Sequence, residues 1–108
     1  MTDVRVVLVT VPSRDAGEAM AEALVGEQIA ACVNIVGPIR SIYRWQGEIC
    51  RDDEHLLLIK TTTDRFAALA ARVCALHTYD NPEVIALPVE QGAAAYLDWV
   101  VANTRGRA

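Results

Sequence analysis

The sequence of 108 residues predicts an α+β domain whose elements follow the order β-α-β-β-α-β, with one more helix at the C-terminal end. Two observations carry this prediction. Apolar runs rich in β-branched residues alternate with segments whose apolar residues repeat at helical spacing, and two of the runs flank a tight-turn pair, Gln46-Gly47. This order is typical of the split βαβ, or ferredoxin-like, sandwich, in which helices cover one face of an antiparallel sheet.

Length and composition favour one core, so residues 1–108 are interpreted as a single domain. Apolar residues make up 53% and charged residues 22% of the chain, as in ordinary folded domains. The net charge of -4 argues against a nucleic-acid partner, because no positive field attracts phosphates. The apolar run Val6 to Val11 is too short for a signal sequence or a membrane span. We therefore expect a cytosolic protein that has no membrane partner.

The first predicted elements are a strand and a helix. Val4 to Val11 is almost continuously apolar, which is typical of a strand that is central in its sheet or covered on both faces. Pro12 ends this strand, and Ser13 is the candidate N-cap of a helix. Helical spacing of apolar residues then continues to about Gly26 or Glu27.

A long hairpin is predicted next. Its first arm is a strand from Ala31 to Val36, an interruption at Gly37-Pro38, and a second stretch from Ile39 to Trp45. The chain returns through Ile49 and Leu56 to Thr61. An arm of roughly 14 residues spans about 46 Å, whereas a domain of this size has a radius of gyration of about 13 Å. The tip is therefore expected to project beyond the core.

The rest of the chain is predicted as helix, strand and helix. Thr61 to Thr63 offers a cap for a helix that ends near His77. Val84 to Leu87 is a short strand, and a last helix begins near Gly92. The tail from Thr104 to Ala108 contains nothing that needs burial.

Three aromatic residues are candidates for an interface between subunits. Tyr43 and Trp45 are two residues apart and therefore share one face of the hairpin. Large aromatic side chains on a projecting arm normally need a partner surface, so we predict intersubunit packing; the alternative is a contact within the chain's own core. Trp99 follows Tyr96 on the last helix, where such spacing favours core or interface packing over a ligand role.

Four polar residues are candidates for a ligand-binding cleft. Lys60 ends an otherwise apolar strand, where it either pairs with an anion or a carboxylate or is simply solvated. His77, Tyr79 and Glu83 cluster around a predicted turn. They offer an imidazole, a phenol and a carboxylate to a metal ion or to an acid-base step. The alternative is that His77 caps the helix and Glu83 merely belongs to the turn.

Several unusual motifs occur together in one order: AACVNI (30–35), SIYRWQGEI (41–49), IKTT (59–62), LHTYDNPEVIALPV (76–89) and AYLDWV (95–100). From about Val7 to Trp99 the chain resembles the CutA family of divalent-cation tolerance proteins. The resemblance implies a ferredoxin-like homotrimer. It also implies clefts between subunits for a metal ion such as copper, or for a small anionic ligand.

The resemblance also implies where copper would bind. In members described with such a site, the ligands fall on Val9, Leu76 and Glu83 of this chain, and copper prefers soft or imidazole ligands. Val9 and Leu76 supply neither. His77 is adjacent to Leu76 but points about 100° away if the helix continues. We therefore expect no firmly bound cofactor and at most weak copper binding, through Glu83 and His77, through His55, or through a surface thiol.

The three cysteines, Cys32, Cys50 and Cys74, are widely spaced and suit free thiols in a reducing compartment. Cys74 precedes His77 by three residues on the same side of the predicted helix, a spacing at which two side chains can share an ion. A cysteine on an apolar helix face is more often a small buried residue.

Two classes of function follow. The first is a trimeric binding or signalling module with ligands in its intersubunit clefts. The second is an enzyme that uses Lys60, His77, Tyr79 and Glu83 there. No nucleophile elbow, phosphate loop or paired-carboxylate motif occurs, which favours a protein without catalytic residues. An RNA-binding domain of this fold is excluded, because the chain is acidic and LLLIKTT (56–62) lacks the aromatic residues that stack on bases.

Overall fold

The structure is a computed structural model that describes residues 2–105. Its elements are β1 Val4–Val11, α1 Arg14–Gly26, β2 Cys32–Trp45, β3 Glu48–Thr62, a 3-10 turn Thr63–Arg65, α2 Phe66–Leu76, β4 Ile85–Pro88 and α3 Ala94–Ala102. The four strands form one antiparallel sheet in the order β2-β3-β1-β4. The predicted α+β architecture, with its long β2-β3 hairpin and C-terminal helix, is confirmed.

The two faces of the sheet are covered differently. Alternate residues of β1, namely Val7, Val9 and Val11, are fully buried in the main core. In that core α1 and α2 pack against β1 and β3; its members are Val7, Val9, Val11, Met20, Leu24, Ile29, Ala30, Leu57, Ile59, Leu69 and Val73. The intervening residues point to the opposite face, where Val6 and Leu8 are only partly buried. We call this opposite face the open face of the sheet.

Helix α1 begins where the sequence predicts. The Ser13 hydroxyl accepts a hydrogen bond of 3.1 Å from the backbone N–H of Ala16, so Ser13 is the N-cap. The helix ends at Gly26.

The predicted threonine cap of the second helix is wrong. The hydroxyl of Thr62 donates to the Asp64 carboxylate at 2.6 Å, and Arg65 precedes α2 without a side-chain cap.

The C-terminal end of the described chain corrects a second expectation. Thr104 is buried, and its hydroxyl donates to the carbonyl oxygen of Val100 at 2.8 Å. A threonine at the end of a helix can be buried because its hydroxyl satisfies a free carbonyl of the last turn. A small second core of Val4, Ala31 and Val100 holds α3 against the sheet. The remainder of the predicted tail, 106–108, lies outside the described residues.

The hairpin gives the molecule its elongated shape. Its arms have 14 and 15 residues, and the longest dimension of the molecule is 44 Å. At the tip, Gln46 and Gly47 both have positive φ angles, of 50° and 81°. Positive φ at two adjacent residues is the requirement of a tight hairpin turn that matches the twist of its strands, so the predicted turn is confirmed.

A bulge in β2 decides which side chains share a face. Val36 pairs with Leu56 and Ile39 pairs with Glu54, so Gly37 and Pro38 together lie opposite one residue, His55. Because of the extra residue, odd- and even-numbered side chains of β2 exchange faces of the sheet beyond the bulge. Beyond the bulge the odd-numbered residues of β2 therefore lie on the same face as Glu54, which is the open face.

The bulge predicts a position that tolerates no side chain. A Cβ atom on Gly37 would lie 2.5 Å from Cδ2 of His55, whereas one on Gly26, at the end of α1, would meet nothing within 4 Å. We expect Gly37→Ala to lower the free energy of unfolding by about 1–3 kcal/mol. We expect Gly26→Ala, the matched control, to leave it unchanged or raise it by up to about 1 kcal/mol. Urea denaturation measures both; equal stability of the two variants would contradict the close packing of Gly37 on His55.

Candidate functional site

A cavity of about 700 Å³ lies where the hairpin meets the loop after α2. Its walls come from the end of β1, from the distal part of β2 and β3, and from residues 78–83. The bulge in β2 turns Tyr43 and Trp45 toward this side of the hairpin, and both line the cavity. We call this space the hairpin cavity.

Glu54 is the most deeply buried charged residue of the hairpin cavity. It is 6% exposed, and its Oε2 accepts a hydrogen bond of 2.8 Å from the hydroxyl of Tyr79. Among residues 2–105, its other oxygen has no hydrogen-bond donor and the carboxylate has no ion-pair partner. A buried carboxylate is stabilised mainly by donors and positive charges, and here a single neutral phenol serves that purpose.

Two phenols of the hairpin cavity keep their protons. Burial and the hydrogen bond to Glu54 raise the pKa of Tyr79 well above its ordinary value. Tyr43 donates to Asp52, its diagonal neighbour across the hairpin, and this hydrogen bond raises the pKa of Tyr43 to about 12. Each hydroxyl is therefore a donor already committed to a carboxylate.

Glu83 lies in the wall formed by the loop. Partial desolvation and, to a lesser extent, the negative charge of Glu54 raise the pKa of Glu83. Both causes act against the ionised form. The hairpin cavity is therefore a place where one further negative charge is costly.

His77 fastens the loop to β1. Helix α2 ends at Leu76 and His77 has an extended backbone, so the predicted end of this helix near His77 is confirmed, and the direction given for His77 on a continuing helix does not apply. The backbone N–H of Tyr79 donates to Nδ1 at 3.1 Å. Since Nδ1 accepts, Nε2 carries the proton and donates to the carbonyl oxygen of Thr10 at 2.7 Å. Neither nitrogen is free for a metal ion unless one of these bonds breaks.

Lys60 lies away from the hairpin cavity. It is on β3 opposite Cys32, and its ammonium group donates to the Asn34 side chain. Of the four residues proposed from the sequence for a cleft, Tyr79 and Glu83 line the cavity, whereas Lys60 and His77 do not. The four side chains thus do not converge on one point.

The positions expected for copper ligands lie in different environments. Val9 is fully buried in the main core, and Leu76 is exposed at the end of α2. Cys74 is exposed, so the interpretation of Cys74 as a small buried residue is wrong. Within residues 2–105 no group of three or more His, Cys, Asp or Glu side chains is placed to hold a metal ion.

The candidate interface aromatics are all partly exposed. Tyr43 and Trp45 stand on the hairpin, and Trp99 lies on α3 with its ring centroid 5.7 Å from that of Tyr96. None of the three belongs to either core cluster. Their apolar surface is therefore available for a partner.

Three of the four acidic residues of the hairpin cavity were not predicted as site residues from the sequence. Asp52, Glu54 and Asp80 line it together with Glu83. A signal existed in the run Arg51-Asp52-Asp53-Glu54, because four consecutive charges inside a strand are unusual. Their alternation places Asp52 and Glu54 on one face and Asp53 on the other.

The fold and the hairpin cavity define a ferredoxin-like domain extended by a long hairpin and a C-terminal helix. Residues 5–103 match the family described as CutA1 divalent ion tolerance protein. The chain belongs to this family.

Individual relatives agree with this assignment. The chain is 57% identical over 99 residues to a divalent-cation tolerance protein CutA of Thermus thermophilus, covering 92% of this chain and 96% of that protein. A solved structure of the divalent cation tolerance protein from Thermus thermophilus superposes with a TM-score of 0.92 at 55% identity, covering 94% of this chain and 98% of the other. The chloroplastic CutA of Arabidopsis thaliana is 50% identical to this chain. The matched region covers 93% of this chain and 55% of that longer protein.

Within residues 2–105, no helix has both the length and the apolar character that crossing a bilayer requires.

The raised pKa of Glu83 predicts a stability effect with a definite sign. A carboxyl whose pKa is higher in the folded than in the unfolded state destabilises the fold when it is ionised. We expect Glu83→Gln to raise the free energy of unfolding at pH 7, by less than about 1 kcal/mol because solvent screens a partly exposed group. The gain should disappear as the pH falls below about 4.3, the ordinary pKa of glutamate.

Thermal denaturation between pH 3.5 and 8 measures this effect. Glu22→Gln is the matched control, since Glu22 is exposed on α1 and does not line the hairpin cavity. A stability gain of Glu83→Gln that is constant across this range would show that the charge of Glu83 is not its cause.

Proposed function

We propose that this chain forms a homotrimeric divalent-cation tolerance protein, a binding or signalling module whose intersubunit clefts hold a metal ion or a small ligand. The observation that carries the proposal is the apolar open face of the sheet. Val36, Ile85 and Leu87 are exposed there; helices α1 and α2 cover the other face, and α3 covers this face only around Val4. An apolar sheet face normally packs against another layer, and a second copy of the chain supplies one.

The hairpin supports the same assembly. Tyr43, Trp45 and Ile42 expose apolar surface on an arm that extends past the core. Aromatic residues are enriched at the centres of protein interfaces. In a cyclic trimer each hairpin packs on the next subunit, and the hairpin cavity then becomes a cleft between subunits.

A binding module is favoured over an enzyme. The enzyme would need Lys60 beside Tyr79 and Glu83, and Lys60 is engaged elsewhere, with Asn34. His77 does lie beside Tyr79, with ring centroids 4.4 Å apart, but both of its ring nitrogens are already hydrogen-bonded.

We also propose a cytosolic location, because Cys32, Cys50 and Cys74 are free thiols, which a reducing compartment maintains. The Arabidopsis relative is described as chloroplastic, so location differs among relatives.

Trimer formation is tested through Trp45. In light scattering at micromolar concentration we expect three times the mass of the chain. Trp45→Arg would remove the aromatic ring that the interface buries, at a cost of several kcal/mol, and should dissociate or unfold the trimer. Val25→Arg is the matched control, because Val25 on α1 is 41% exposed and Trp45 is 40% exposed. A monomer mass for the unaltered protein, or an unchanged mass and melting temperature for Trp45→Arg, would contradict the proposal.

Copper binding is tested by calorimetric titration of the protein without a tag. We expect weak binding, because Val9 and Leu76 occupy two of the positions where relatives with a described site would need ligands. Because both ring nitrogens of His77 are hydrogen-bonded and Glu83 alone is a nonspecific carboxylate, His77→Ala and Glu83→Ala should change the titration little, and weak binding is left to His55 or a surface thiol. One tight copper ion per subunit that is lost in both variants would show that the cleft binds copper after all.

A further inference from the structure

We propose that the hairpin cavity binds an organic cation, meaning a protonated amine or a quaternary ammonium group on an apolar body. The inference rests on the proposed function and names the chemical class of the ligand in its cleft.

The charges around the hairpin cavity are the first argument. Four carboxylates line it, namely those of Asp52, Glu54, Asp80 and Glu83, against one guanidinium, that of Arg44. Within residues 2–105 the ion pairs lie elsewhere, between Arg14 and Glu18, Arg40 and Asp53, and Arg72 and Glu27. The described part of the chain thus leaves all four carboxylates without a cationic partner. A ligand with positive charge meets a favourable potential there.

Glu54 is the second argument. It is 6% exposed, and one of its oxygens is bonded to the neutral phenol of Tyr79. The other oxygen has no donor among residues 2–105, although the residue forms part of the cavity wall. This oxygen is not among the buried polar atoms left without a partner, so it is open to the cavity, where a donor or a counter-charge would be favourable. An ammonium group supplies both.

The shape and the aromatic walls indicate an organic cation and not a bare metal ion. Within residues 2–105 no three carboxylates, thiols or imidazoles are grouped closely enough to hold a metal. The volume of about 700 Å³ is in the range that encloses a small organic molecule. Tyr43, Trp45 and Tyr79 line the same space, and an ammonium group over an aromatic face gains a cation–π interaction.

An anionic ligand fits less well. The hydroxyls of Tyr43 and Tyr79 already donate to Asp52 and Glu54. These two phenols therefore offer no hydrogen to an anion. Burial is the larger cause of the raised pKa of Glu83, and the negative charge of Glu54, its second cause, would also repel an anionic ligand.

Three matched probes separate charge from shape: 2-phenylethylamine, which is cationic at pH 7, the neutral 2-phenylethanol, and the anionic phenylacetate. Calorimetric titration of the full chain should detect binding of the amine, with an affinity at least about tenfold higher than that of the alcohol. That ratio corresponds to about 1.4 kcal/mol. Added salt should lower the affinity for the amine and leave the affinity for the alcohol unchanged.

Variants locate the site. Glu54→Gln keeps an oxygen that can accept from the Tyr79 hydroxyl but removes the negative charge. It should lower the affinity for the amine about tenfold. Asp53→Asn is the matched control, since Asp53 is the adjacent residue of β3, is exposed and pairs with Arg40; it should leave amine affinity unchanged. Asp80→Asn, on the exposed loop, provides a second cavity variant if Glu54→Gln does not fold. It should lower the affinity for the amine about threefold.

The outcomes separate this inference from the proposed function. Equal affinity for amine and alcohol, or equal losses in Asp53→Asn and the cavity variants, overturns the organic-cation site. A trimer by light scattering that binds copper(II) or phenylacetate, but not the amine, overturns the inference and leaves the proposed function intact. A monomer that still binds the amine through Glu54 overturns the trimer and leaves the inference intact.

Discussion

The antiparallel pairing of β2 with β3, and the bulge within it, is the constraint on which the rest of the site depends. Strand residues alternate between faces, so one extra residue exchanges the faces of everything that follows. Without the bulge at Gly37 and Pro38, Tyr43 and Trp45 would lie on the face opposite Glu54. With it, the aromatic rings and the buried carboxylate share one wall of the hairpin cavity.

The second wall is held by contacts between distant parts of the chain. His77 uses both ring nitrogens to join the loop after α2 to Thr10 at the end of β1. This anchoring positions Tyr79 so that its hydroxyl reaches Glu54. The imidazole thus acts by positioning the loop, and the wall that Tyr79 contributes to the hairpin cavity has a fixed geometry.

Local patterns predicted the elements, and contacts between elements decided the site. The valine-rich β1, the Ser13 cap and the Gln46-Gly47 turn depend on neighbouring residues, and their signals are visible in sequence. The burial of Glu54 depends instead on a bulge and on a phenol from another part of the chain. The same limit explains His77: spacing marks it as a candidate ligand, but only the fold brings Thr10 within 2.7 Å of its Nε2.

The strand pairings also bear on how the chain folds. The hairpin closes through partners near in sequence, such as Trp45 with Glu48, whereas β1 must find β4 through pairs such as Arg5 with Pro88, near opposite ends of the chain. Closing a long loop costs more entropy than closing a short one, and distant contacts slow folding. We therefore expect the four-residue β4 to pair late. Because β4 contributes Ile85 and Leu87 to the open face, a chain in which β4 has not yet paired presents only part of the apolar surface found there in the folded molecule.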